Sequence, residues 1–322
     1  MGTILRGLLL GLLATLALPC KGAEISCVDY VTMQNNKKYC SAAFLNGEIV
    51  KGDYDKVVSL FARFHPYIDN IYLQSPGGDV IEAIKIGRLL RKYYIDVLSP
   101  YHVSSDNYHL LENPSDAESK NDLTHFHNKI LSEICKGEGC ICASACALIF
   151  FGAPMRSGSV GLHRPIIDDP AFKALSPTEA ESVYKPALTA ISLYLEEMEV
   201  PKEFVEVMIA TSSHGIRWIT SENIKRSPSF AEWADANCGP YDQPFNEWFD
   251  VRRREWAQGR PLSSDEQHIL NLLDEKLDRI RNCLVDLISA NRKKLPPPTL
   301  TCNTNDCSVA SKSQSRLELA PK

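Results

Sequence analysis

Cys142 to Pro165 reads CASACALIFFGAPMRSGSVGLHRP, and it sets one serine among small residues at the start of an apolar run. Every residue from Ala145 to Phe151 is apolar. A helix here has no polar face and belongs in a core, and Gly152 is the residue type that ends such a helix. Ser144 then stands at the helix N-terminus. There the unpaired N–H groups and the positive end of the helix dipole favour a developing anion, which acyl transfer must stabilise.

A second short run follows, Ser159 to His163. Its alternation puts Val160 and Leu162 on one face and Gly161 and His163 on the other. A serine hydroxyl is a weak nucleophile until a base takes its proton, and histidine is the commonest base. His163 follows Ser144 by nineteen residues. A helix, a turn through Pro154 to Gly158 and a returning strand bring the two within reach. The same pair also reads as a small serine packing a helix start and a half-exposed strand histidine.

Asn70 to Ser75, NIYLQS, reads as a buried strand. It runs into Pro76-Gly77-Gly78 and then into a helix opening at Asp79, with Glu82 three residues on as a capping pair. Two glycines at a strand-to-helix junction expose backbone N–H groups to a reacting carbonyl oxygen, an oxyanion-hole arrangement. A plain tight turn is the other reading.

In combination, YLQSPGGDVIEAIKIGRLLRK, CASACALIFFGAPMR and GSVGLHRP resemble the periplasmic, Clp-protease-like branch of the Clp protease/crotonase superfamily. FLNGEIVKGDYDKVVSLFARF also resembles that fold's opening strand and helix. The likeness runs from about Cys40 to Lys225, with glycine pair, serine and histidine in the family's order. It implies an α/β fold of repeated β-β-α units around a mainly parallel sheet. It also implies Ser144 as nucleophile, His163 as base, and the backbone N–H groups of Gly78 and Ala145 as oxyanion hole.

The chain departs from the family at one place. Proteolytic members carry an orienting aspartate shortly before a segment like Trp218-Ile-Thr-Ser-Glu-Asn223, and here Thr211-Ser-Ser-His214 stands there without a carboxylate. The orienting group holds the histidine tautomer and stabilises the imidazolium. A dyad, a serine or a backbone carbonyl in its place, and a slower enzyme all remain open. Asp168 and Asp169, close behind His163, are the acidic stand-ins.

The chain opens with Arg6 and an apolar stretch from Gly7 to Leu18, too short for a membrane span. It reads as a secretory signal peptide over residues 1–23, cut near Gly22 or Ala23, although Lys21 fits the small-residue rule poorly. A lipoprotein Cys20 and an uncleaved anchor are the alternatives. The expected location is the periplasm. There are eleven cysteines, and an even ten remain once Cys20 leaves, compatible with disulfides in an exported chain. Candidate local pairs are Cys27 with Cys40 and Cys302 with Cys307. Cys142 and Cys146 flank Ser144, although a bond between them is at odds with strict helical i,i+4 geometry. A metal set of Cys135, Cys140, Cys142 and Cys146 competes with the disulfide reading.

A net charge of −5 over 322 residues and a hydrophobic fraction of 44% are ordinary for a globular protein and carry no mark of nucleic acid binding. The expected organisation is a hydrolase domain over 24–226, a helical C-terminal extension over 227–295 and a disordered tail over 296–322. A hairpin from Glu24 to Val50 enters the sheet. Helices follow from Tyr54 to Phe64 and after Asp79, the latter packing Val80, Ala83, Ile84, Gly87 and Leu90 on one face. A strand returns from Ile95 to Leu98, and this alternation predicts crossover units.

An insertion over about 99–139 carries His102, His109, His125 and His127 at no standard ligand spacing. It reads as a solvated loop or a cap over the site. Ser176 and Glu179 form a capping box for a helix kinked at Pro186 and reaching about Glu199. Further helices are expected over Pro201 to Ala210 and Thr220 to Lys225.

In the extension, Trp233, Trp248 and Trp256 are expected to pack onto the main body. Ser264 and Gln267 cap a long helix with Leu273, Leu277, Ile280, Leu284 and Leu287 as its docking stripe. The expected protein is an exported serine hydrolase, an ATP-independent peptidase needing neither cofactor nor ATPase partner. The kinship adds homo-oligomerisation. An inactive binding or assembly module and a crotonase-type acyl-thioester enzyme are the alternatives.

Overall fold

Short apolar strands separated by amphipathic helices build one sheet with helices packed on it. A computed structural model describes residues 22–33, 36–100, 140–166, 174–220, 226–258, 261–303 and 306–308. Residues 1–21 of the expected leader, most of the expected insertion with its four histidines, Cys135, Asp168, Asp169 and the end of the tail lie outside the described residues. No helix among the described residues is long and apolar enough to cross a membrane.

Strands β1 (Glu24–Thr32) and β2 (Lys38–Asn46) form the expected antiparallel hairpin, held by a Cys27–Cys40 disulfide. β3 (Asn70–Gln74), β4 (Asp96–Leu98) and β5 (Arg156–Ser157) then add in parallel, in the order β1-β2-β3-β4-β5. The fold is α/β with a mixed, mostly parallel sheet. Helix α1 (Asp53–Phe64) links β2 to β3, and α2 (Val80–Tyr93) links β3 to β4.

Glu82 corrects one sequence reading. Asp79 caps α2 as expected, accepting from the amides of Ile81 and Glu82. The Glu82 carboxylate does not complete the box. It turns to the neighbouring helix and accepts from the amides of Gly52 and Tyr54, 3.0 Å each, because the orphan donors that open α1 lie beside it in the core.

Helix α3 (Ala145–Gly152) is buried along its whole length. The helix ends at Gly152 as expected, and the glycine is also needed there for close approach. A Cβ on it would lie 2.3 Å from the Cα of Gly87 on α2, and the extended residue Ala153 follows as C-cap. The two glycines let α2 and α3 touch backbone to backbone. Helix α4 (Pro177–Glu197) opens with the expected Ser176–Glu179 capping box and runs on through Pro186. It braces α3 with a hydrogen bond from the Tyr194 hydroxyl to the Leu148 carbonyl at 2.7 Å.

After α5 (Lys202–Ala210) the chain enters a strand that takes in Thr220, and the rest of the helix expected over Thr220 to Lys225 lies outside the described residues. Thr220 closes β7 (Arg217–Thr220), antiparallel to β6 (Ser159–Leu162). The aromatic and β-branched run Trp218-Ile219-Thr220 suits a pleated ribbon.

The C-terminal extension is helical: α6 (Pro228–Cys238), α7 (Asp242–Gln258) and α8 (Ser264–Lys294), with a Cys238–Cys283 disulfide joining α6 to α8. Trp233 packs with Tyr94 and Phe230 against the main body, as expected. The side chain of Trp256 lies outside the described residues. The α8 cap sits one residue earlier than read, with Ser263 and Glu266 as the box. Ile288, not Leu287, closes its buried stripe, since α-helical drift carries position 287 off the contact face. Buried Arg292 then docks α8 by donating to the Tyr93 and Tyr94 carbonyls at 2.9 and 2.8 Å. That places a cation on the C-terminal end of α2. Beyond it, β8 (Thr301–Asn303) and β9 (Asp306–Ser308) pair with Cys302 in register with Cys307.

Candidate active site

Three chain segments meet at Ser144, and backbone pairing brings them there. Ser75, just past β3, pairs with Cys142: its amide donates to Ile141 at 2.7 Å, and the Ala143 amide donates back to it at 3.1 Å. On its other side the same segment pairs with β6. The Gly161 amide donates to Cys142 at 2.8 Å and the Ser144 amide to Gly161 at 2.9 Å. Ser144 and His163 therefore stand at the same end of adjacent parallel segments.

Ser144 is the N-cap of α3, yet its side chain makes no capping hydrogen bond. An ordinary N-cap serine spends its hydroxyl on the first-turn amides. Its backbone adopts φ 58°, ψ −124°, a region L-residues rarely enter and one found where a sharp strand-to-helix turn presents a nucleophile. From Cys142 to Pro154 it is the one residue that is not buried. The Cys142–Cys146 disulfide brackets it, with a Cα–Cα distance of 5.2 Å. The bond fits because Cys142 lies on the strand side of the elbow, outside the helix.

The glycine pair sits directly over this serine. A Cβ on Gly77 would lie 2.5 Å from the Ser144 Cβ and 3.0 Å from its Oγ, at a φ of +116°. Buried Ser75 shapes the turn, its Oγ accepting from the Gly77 amide at 3.1 Å. The bridge to Ile49, just past β2, uses Gly77 O and Asp79 N, bonded to Ile49 N and O at 2.8 and 2.7 Å. Gly78 N–H is thereby passed over. The amides on either side of Ala145 are also taken, Ser144 by Gly161 and Cys146 by Ala143. Among the described residues, Gly78 N–H and Ala145 N–H have no hydrogen-bond partner. Two unused donors beside one hydroxyl, at the start of a buried helix, can hold an oxyanion.

Val160 and Leu162 are buried, as the alternation predicts, and His163 is half-exposed. Its Nδ1 lies 2.8 Å from the Arg164 carbonyl. A carbonyl only accepts, so Nδ1 is the donor in this contact and Nε2 is the nitrogen left to face a substrate. The Arg164 amide in turn donates to the Thr211 carbonyl at 3.1 Å. Thr211 opens the segment that lacks the expected carboxylate, and it holds the N–H of the residue whose carbonyl meets the imidazole. Among the described residues no hydrogen bond joins Ser144 Oγ to His163. Catalytic pairs often close only around substrate. Over Gly161 lie Ile216 and Trp218, whose atoms would meet a Cβ there at 2.6 and 3.1 Å.

The metal alternative is overturned for three of its four cysteines: Cys142 is bonded to Cys146, and Cys140 is disulfide-bonded as well. Among the described residues no group of three or more His, Cys, Asp or Glu is placed to hold a metal ion. Residue-type reasoning missed the backbone groups of Arg164 and Thr211, and the turn-forming role of Ser75. Only the last had a signal, a serine two residues before a glycine turn.

Fold and site together define an α/β protein with a serine on a strand-to-helix elbow, a histidine at the same end of the adjacent segment and two unused amides. No family model and no curated protein matches the chain.

Proposed function

We propose that the chain is a serine-type hydrolase of the Clp-protease-like kind, built on that superfamily's β-β-α repeats and acting on peptide bonds without ATP. The observation that carries this reading is the Ser144 elbow, with its uncapped hydroxyl, positive φ and unused neighbouring amides at Gly78 and Ala145. Ser144 Oγ attacks the substrate carbonyl as His163 Nε2 takes its proton. Gly78 and Ala145 hold the oxyanion. The imidazolium then gives its proton to the leaving amine, and a water repeats the sequence on the acyl-enzyme.

The Arg164 carbonyl replaces the orienting carboxylate. It holds the tautomer but stabilises the imidazolium less than an anion does, so turnover is slow for the class. The bonds Cys27–Cys40, Cys142–Cys146 and Cys238–Cys283 fit an oxidising compartment, and the periplasm is the location this reading assigns. Self-association in the manner of the superfamily belongs to the same proposal. The missing carboxylate favours one rival, a hydrolase-like module that binds without turning over.

A fluorophosphonate probe on the purified chain separates the two. The hydrolase labels at Ser144, loses labelling in Ser144→Ala and slows by about 100-fold or more in His163→Ala. Folded protein that stays unlabelled across several pH values is the binding module.

A further inference from the structure

At the opposite end of the hydrogen-bonded path from the elbow, the first described residues meet a buried carboxylate. Asp53 is 0% exposed, and its Oδ2 accepts from the backbone nitrogens of Ala23 at 3.0 Å and Val50 at 2.8 Å. Its Oδ1 takes Lys56 Nζ at 2.7 Å, and that ammonium also donates to the Ala23 carbonyl at 3.1 Å. The lysine is half-exposed. A fully buried carboxylate thus has one partly solvated cation, a poor balance for a sealed charge.

We propose that the chain is matured by hydrolysis of the Gly22–Ala23 bond, and that the α-ammonium released on Ala23 forms a buried ion pair with Asp53. Water is consumed, Gly22 leaves with the new carboxylate, and the amine on Ala23 takes up a proton. Two independent observations select this bond. Cleavage there puts Cys20 and Gly22, both small, at the two positions a leader peptidase reads, whereas cleavage one residue later puts Lys21 at the first of them. Ala23 is 1% exposed and bonded through both its nitrogen and its carbonyl, so it belongs to the folded body and is not discarded.

Packing demands the same small residue at 22. A Cβ on Gly22 would lie 2.3 Å from Val50 Cγ2 and 2.9 Å from Asp53 Oδ1. The pair also reaches toward the glycine turn. Val50 shares Asp53 with Ala23, and adjacent Ile49 holds Gly77 and Asp79 on its two sides.

Intact-mass analysis of the exported protein is expected to give a chain beginning at Ala23. Two chains beginning there, one with a free amino group and one acetylated, are then folded oxidatively and melted. Acetylation leaves the amide arrangement seen here, the acetyl group filling the place of Gly22, and removes only the charge. The free chain is expected to melt roughly 4 °C or more above the acetylated one, and the gap is expected to close when both carry Asp53→Asn. A mature chain beginning at Glu24 or retaining Gly22 overturns the proposal, as do equal melting temperatures for the free and acetylated chains.

Discussion

The amide of Ser144 donates to the carbonyl of Gly161 at 2.9 Å. That one bond ties the elbow to the strand that ends one residue before His163, so the separation of hydroxyl and imidazole is set by β-pairing and not by a flexible loop. Sites held by strands keep their geometry better than sites on loops.

Gly77 is the first test of that geometry. An alanine there forces a Cβ to within 2.5 Å of the Ser144 Cβ in a left-handed backbone region. Displacing a nucleophile by about 1 Å costs on the order of 100-fold in rate, so Gly77→Ala is expected to slow fluorophosphonate labelling by at least that much. Gly47→Ala is the control. It carries similar backbone strain at a φ of +112° with only a 3.6 Å contact, and it is expected to lose stability without losing labelling.

The imidazole's support is a peptide group, so side-chain identity at that position matters little. Arg164→Ala keeps the carbonyl, and its kcat on a chromogenic peptide ester is expected to stay within about threefold of the parent. Arg164→Pro removes the N–H that donates to Thr211 and is expected to lower kcat by roughly 100-fold with little change in KM. Neutral Asp168→Asn and Asp169→Asn variants are expected to behave like the parent. Loss of activity in either one assigns the orienting role to a carboxylate.

These outcomes bear on what residue types can reveal. The apolar run after Ser144, the glycine pair and the alternation through His163 are side-chain patterns, and each forecasts its element. Glu82 fails because i,i+3 spacing suits a local cap and an inter-helix cap equally, and only packing decides between them. Gly152 ends its helix as read, but its contact with Gly87 is not legible, since a terminal glycine and a contact glycine look alike without the partner helix. Arg164 and Thr211 act through backbone groups, which every residue has. The long-helix stripe is legible in period, and its last contact shifts by one because heptad spacing and the α-helical repeat diverge over its length.

Cys142 and Cys146 close a loop of a few residues, for which chain entropy accounts for only about 2 kcal/mol of stability. Their larger role is local, fixing the strand and helix on either side of Ser144. The double variant Cys142→Ala/Cys146→Ala is expected to fold with a modest loss of melting temperature and a disproportionate loss of kcat. Kinetics that fall only in step with the folded fraction, measured at the same temperature, contradict this role.

Burial pushes the Asp96 carboxyl up to about 8, with Arg292 opposing the rise and Asp69 adding to it. Its Oδ1 is buried without a hydrogen-bond partner among the described residues. Folded chain therefore keeps a proton that unfolded chain releases near pH 4. Between about pH 4 and 8 the unfolded state binds fewer protons, and stability falls as pH rises. Asp96→Asn, which imitates the protonated form, is expected to match the parent near pH 4 and to melt several degrees higher near pH 8. Parallel melting profiles across that window refute the assignment.

The most direct measurement is a crystal structure of the chain reacted with a peptide boronate. The predicted result is a covalent bond from boron to Ser144 Oγ, one boronate oxygen between the N–H groups of Gly78 and Ala145, and His163 Nε2 hydrogen-bonded at the adduct with Nδ1 still on Arg164. Unmodified Ser144, or an adduct whose oxygen points away from both amides while the imidazole remains out of reach, contradicts the account.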